Sequence, residues 1–133
     1  MWLRYFKTLY PTRKPADFEA YCAGLSANLK EAGRLEGLLS MLMASKSASE
    51  QRLPRVKAPA LVVMGSDDPD FKNANFISPQ AEAQRVADNL HGTVHMIPGA
   101  GHYPHAEMPE LAIPTILSFL ESLKEREPQK AAA

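Results

Sequence analysis

Two short segments of this chain hold residue types that proton-transfer chemistry uses. Ser66-Asp67-Asp68-Pro69-Asp70 supplies three carboxylates, and Gly99-Ala100-Gly101-His102 supplies an imidazole among glycines. A histidine works as a general base when a carboxylate fixes its tautomer and stabilises the imidazolium that forms. His102 is the candidate base, and Asp67, Asp68 and Asp70 are the candidate acids. Taken without His102, the acidic segment reads as a solvated turn, since Asp and Pro are common turn residues. A calcium loop fits poorly, because Phe71 and Lys72 interrupt the oxygen ligands and the glycine of an EF-hand is missing. His102 and His105 are three apart on a Gly/Pro loop with no third ligand evident, so no metal is expected.

Such a pair needs rigid elements to aim it. Ala60-Leu61-Val62-Val63-Met64-Gly65 is an unbroken apolar run, β-branched in the middle and closed by glycine. That pattern predicts a strand covered on both faces, as in a parallel sheet. Ser78-Pro79 offers an N-cap and a first-turn proline, Ala83, Val86, Ala87 and Leu90 form a helical stripe, and Gly92 closes it. Thr93–Ile97 reads as a second short strand, and Pro98-Gly99-Ala100-Gly101 turns the chain. The order is that of a βαβ unit, and chemistry in open α/β sheets collects beyond the carboxyl ends of the strands. Neighbouring parallel strands lie roughly 4.8 Å apart, so loops leaving the same rim can bring Asp68 and His102 into hydrogen-bond reach. A last helix runs from Pro109 through Ile113, Ile116, Leu117, Leu120 and Leu123; Pro114 should kink it or delay its start.

Upstream the texture differs. Residues 1–14 are aromatic and basic, punctuated by Pro11 and Pro15. Phe18, Tyr21, Cys22, Leu25 and Leu29 fall on one helical face before Gly33, and Leu35, Leu38, Leu39, Leu42 and Met43 form a second stripe. The polar stretch Ser45–Gln51 suits a linker. Cys22 reads as a small buried filler, His91 as a helix-end cap, and His95 as a strand residue that packs or meets a backbone group.

The two chemistry-bearing segments are familiar together. Ala58-Pro59-Ala60-Leu61-Val62-Val63-Met64-Gly65-Ser66-Asp67-Asp68 resembles the α/β-hydrolase strand that ends in Gly-x-x-Asp. Met96-Ile97-Pro98-Gly99-Ala100-Gly101-His102-Tyr103-Pro104-His105-Ala106-Glu107-Met108-Pro109-Glu110 resembles that superfamily's histidine loop and the start of its last helix. The likeness is close over residues 55–124 and looser over 1–54. It implies an α/β fold: the carboxyl-terminal portion of an α/β-hydrolase sheet, two parallel strands with flanking helices, preceded by cap-type helices. The division would be cap helices and return segment over 1–52 and core over 53–133. It further implies Asp68 as triad acid and His102 as general base acting on a small-molecule substrate without a cofactor. Because cap helices shape the pocket in this family, Trp2, Phe6, Leu42, Met43 and Tyr103 become candidate lining residues.

Acyl transfer on this fold needs a nucleophile on a strained Gly-x-Ser-x-Gly elbow, or an Asp equivalent. No such motif occurs in the 133 residues; Gly24-Leu25-Ser26-Ala27-Asn28 lacks the second glycine and sits in a helical pattern. In these enzymes the order is nucleophile, acid, histidine, so the elbow is expected upstream of Met1. The first strand would then lack its partner, leaving a hydrophobic edge that another chain or self-association would cover. Apolar residues make up 45% of the chain and charged residues 23%, ordinary for a globular domain, and 15 basic residues balance 15 acidic ones. That neutrality argues against a nucleic-acid surface. The apolar run at the amino terminus is too short for a signal or a membrane span, so a cytoplasmic location is the default expectation.

Overall fold

The computed structural model describes residues 2–72 and 77–130. Four helices precede the sheet: α1 (Trp2–Thr8), α2 (Phe18–Asn28), α3 (Arg34–Met43) and the short α4 (Ser47–Glu50), followed by a 3-10 turn at Leu53–Arg55. Then come β1 (Leu61–Gly65), α5 (Pro69–Lys72), α6 (Pro79–Leu90), β2 (Thr93–Ile97), α7 (Pro104–Glu107) and α8 (Pro109–Lys130). The protein is therefore mixed α/β, with β1 and β2 paired in parallel from Leu61↔Thr93 to Gly65↔Ile97. Both strands thus end at the same rim.

α6 forms where its end signals demand. The Ser78 hydroxyl accepts a hydrogen bond from the Ala81 N–H at 3.2 Å, Pro79 occupies the first turn, and His91 closes the helix in the left-handed region at φ 52°. The helix packs against both strands and buries Ala83 and Ala87 completely. α8 also packs on the sheet, and Ile97, Ala100 and Ala112 form a small core with Val63 and Met108.

Four expectations need correcting. No residue of β1 before Gly65 is fully buried, and Thr93 and His95 of β2 are exposed. In a sheet of two strands each is an edge, and the helices shield it only in part. His95 consequently faces solvent instead of packing. Of the kink or late start expected from Pro114, the late start is absent: the last helix begins at Pro109, as its first-turn proline predicts, and continues through Pro114. The segment read as a linker holds α4.

A second cluster joins the amino-terminal helices to the loop after β2. Phe6, Leu9, Tyr10, Phe18 and Cys22 are buried together, with Leu3, Tyr103 and Ala106 against them. The rings of Phe6 and Phe18 stack at 5.7 Å, and those of Tyr10 and Tyr103 at 5.3 Å. α3 is different. None of its residues is buried, Leu35, Leu39 and Leu42 are about half exposed, and Met43 is 86% exposed. The chain exposes 9447 Å², whereas a folded monomer of this mass exposes about 6,900 Å². Among the described residues no helix is long and apolar enough to cross a membrane.

The aromatic cluster has a pH consequence. Burial, followed by the nearby Tyr103, pushes the Tyr10 phenol up to about 12, and burial also raises Tyr103 and Tyr5. A raised folded pKa means the folded chain holds the proton more tightly than the unfolded chain does. That stabilisation is complete below the ordinary phenol value of about 10 and is lost as pH rises toward 12. In an alkaline titration followed at 295 nm, Tyr10 is expected to ionise only as the far-UV helix signal collapses. Ionisation of all four tyrosines near pH 10, with the helix signal intact, would contradict this.

Candidate catalytic site

The rim beyond β1 and β2 is held together by the main chain. The Ser66 N–H donates to the Ile97 carbonyl at 3.0 Å, and the Asp67 N–H to the Ala100 carbonyl at 2.8 Å. The Gly99 N–H donates to the Ser66 hydroxyl at 2.8 Å. The sheet ladder is in effect extended past both strand ends. Such close approach requires glycine at position 65, where a Cβ would run into the Ala100 and Gly101 carbonyl oxygens. Gly101 is needed likewise, because a Cβ there would meet the Leu9 carbonyl and the Pro11 ring.

Asp68 follows β1 and is 3% exposed. Its Oδ1 accepts the Asp70 N–H at 3.0 Å at the start of α5, which fixes the rotamer. Its Oδ2 then lies 2.9 Å from His102 Nδ1. A carboxylate accepts, so Nδ1 donates and Nε2 is left as the basic nitrogen. The His102 backbone N–H donates to the Leu9 carbonyl at 3.0 Å, and its ring meets Tyr103 edge to face at 4.9 Å. The structure thus brings together the acid and the histidine singled out in the sequence.

The competing acids are placed differently. Asp70 Oδ2 is 3.5 Å from His102 Nδ1, and its other oxygen accepts the Tyr5 hydroxyl. Asp67 contributes its backbone N–H to the rim. Asp68 is both nearer to the imidazole than Asp70 and better shielded from water. Asp68, Asp70 and His102 also offer three ligand atoms within 4.8 Å of one another, a spacing a metal ion could use. A metal on Nδ1 would have to displace the proton that this nitrogen donates to Asp68, so the ion and the hydrogen bond exclude one another.

Of the residues named as pocket lining, Phe6 and Tyr103 face a cleft of about 340 Å³, shared with Tyr10, Phe18, Tyr21 and His105. Trp2 is half-buried, its ring 5.5 Å from that of Tyr5. Leu42 and Met43 are exposed on α3 and do not line this cleft.

Three residues escaped the sequence reading. Tyr5 reaches Asp70 across a long stretch of chain, which no local spacing announces. Glu107 is fully buried and accepts three backbone hydrogen bonds: from Thr12 at 2.7 Å, Arg13 at 2.9 Å and Gly101 at 2.6 Å. Arg13 returns the contact, its Nε donating to the Glu107 carbonyl at 2.9 Å and its Nη2 to both Glu110 oxygens at 2.7 Å. The signal available for Glu107 was a lone acid between Ala106 and Met108. No family model, no curated protein and no solved structure matches this chain.

Proposed function

We propose that this chain supplies the acid and base of an esterase-like α/β-hydrolase, with Asp68 orienting His102 and the nucleophile contributed from outside these residues. One observation carries the reading: a buried carboxylate and an imidazole, 2.9 Å apart, on loops leaving the same rim of a parallel sheet. His102 Nε2 would take the proton of a serine hydroxyl as it attacks an ester or similar bond, and Asp68 would stabilise the imidazolium. With an aspartate nucleophile, His102 would instead activate the water that breaks the ester intermediate.

A second reading has its own support. The excess surface and the apolar face of α3 favour a non-catalytic subunit that associates through its open sheet edge and uncovered faces. The isolated chain tests both. Hydrolysis of p-nitrophenyl esters is expected to stay at background, and sedimentation is expected to show association. Clear esterase turnover, lost on His102→Ala, would place the nucleophile within this chain and overturn the division of labour. A clean monomer that unfolds cooperatively would remove the support for association.

A further inference from the structure

We infer that Glu107 is a positioning residue for His102, holding the histidine loop against the segment after α1. The inference rests on His102 being the working base proposed above. A carboxylate taken wholly out of water costs several kcal/mol unless its oxygens are satisfied. Here they are satisfied entirely by main chain, and the donors come from two separate stretches. Oε2 takes the N–H of Gly101, the residue directly before His102, at 2.6 Å. Oε1 takes the N–H groups of Thr12 and Arg13 at 2.7 and 2.9 Å.

Further bonds join the same two stretches. The Thr12 hydroxyl donates to the Gly99 carbonyl at 2.7 Å, and the His102 N–H to the Leu9 carbonyl at 3.0 Å. The histidine loop is thus suspended between Leu9–Arg13 on one side and the rim of the sheet on the other. Glutamate suits the task because both its oxygens accept. An amide offers one acceptor and sets an N–H₂ against a backbone donor. Charge-assisted bonds to backbone N–H groups are also stronger than neutral ones.

The test follows the His102 ring itself, by NMR on the full chain. The wild-type chain is expected to show a low-field Nδ1 proton that disappears in Asp68→Asn. In Glu107→Gln that proton should exchange with water at least about tenfold faster, with the far-UV spectrum and the β1 amides unchanged. Glu110→Gln, at the exposed end of the Arg13 contact, should leave it alone. Wild-type exchange in Glu107→Gln overturns the inference. A wild-type chain without an Asp68-dependent ring proton overturns the proposed pairing instead, and the positioning role falls with it. If Glu107→Gln fails to fold, exchange in the wild-type chain decides. The ring proton and the amides of Thr12, Arg13 and Gly101 should open together, with protection factors, each corrected for the group's intrinsic exchange, within about threefold of one another. A ring proton that exchanges independently of those amides overturns the inference.

Discussion

Gly65→Ala is expected to destabilise the chain by about 3 kcal/mol or more, because the added methyl has nowhere to go. At the end of β1 it meets two backbone carbonyl oxygens, those of Ala100 and Gly101, instead of a side chain that could swing aside. Relief requires the histidine loop to move away from the sheet, which breaks the bond from the Asp67 N–H to the Ala100 carbonyl. The same movement draws His102 away from Asp68. In urea the midpoint should fall by more than about 1 M, given slopes of 1–3 kcal/mol/M for small proteins. Gly24→Ala is the counterpart. It lies inside α2 with nothing within 4 Å of the new methyl, so it should stabilise by about 0.5–1 kcal/mol. A Gly65→Ala midpoint equal to wild type would mean that the two loops are not packed as described.

The largest effect expected on turnover separates two neighbouring acids. Under the proposed function, and once a nucleophile is supplied, Asp68→Asn should lower kcat by about 10⁴-fold, the scale seen when a triad carboxylate becomes an amide. The amide can present its N–H₂ to the imidazole and favour the wrong tautomer, while the shape of the site is retained. Asp70→Asn should cost less than about tenfold, because a partly exposed charge is screened by water. Asp70 is 3.5 Å from the imidazole with its side chain 31% exposed, against 2.9 Å and 4% for Asp68. Parallel kinetics on the two variants decide the matter. A larger loss in Asp70→Asn would move the acid's role two positions along the chain.

Much of the sheet and its rim was legible because the signals are local. The apolar run ending in Gly65, the cap at Ser78-Pro79 and the glycines before His102 each specify backbone geometry within a few residues. Parallel order placed the two loops at one rim, and the resemblance picked Asp68 from the three acids of its loop. What could not be read depends on contacts distant in sequence. α1 is only seven residues long and is stabilised by rings on α2 and by Tyr103, so its own pattern is too brief to announce a helix. Glu107 is buried only because Thr12, Arg13 and Gly101 converge on it. The α3 stripe teaches the converse: its periodicity was plain, yet nothing among the described residues buries it. Periodicity tells which face would be covered. It does not supply the cover.

The ladder that continues beyond the strand ends bears on how this site could change. Asp68 and His102 are spaced chiefly by peptide groups, from Ser66 to Ile97 and from Asp67 to Ala100. Every residue but proline carries a backbone N–H, so replacing neighbouring side chains other than Ser66 and Glu107, which bond this main chain themselves, alters the pair's surroundings and leaves its span alone. Freedom to vary should therefore be wider at exposed positions of the cleft such as Tyr21 and His105. It should be narrowest at Gly65 and Gly101, where a missing side chain is itself the structural requirement.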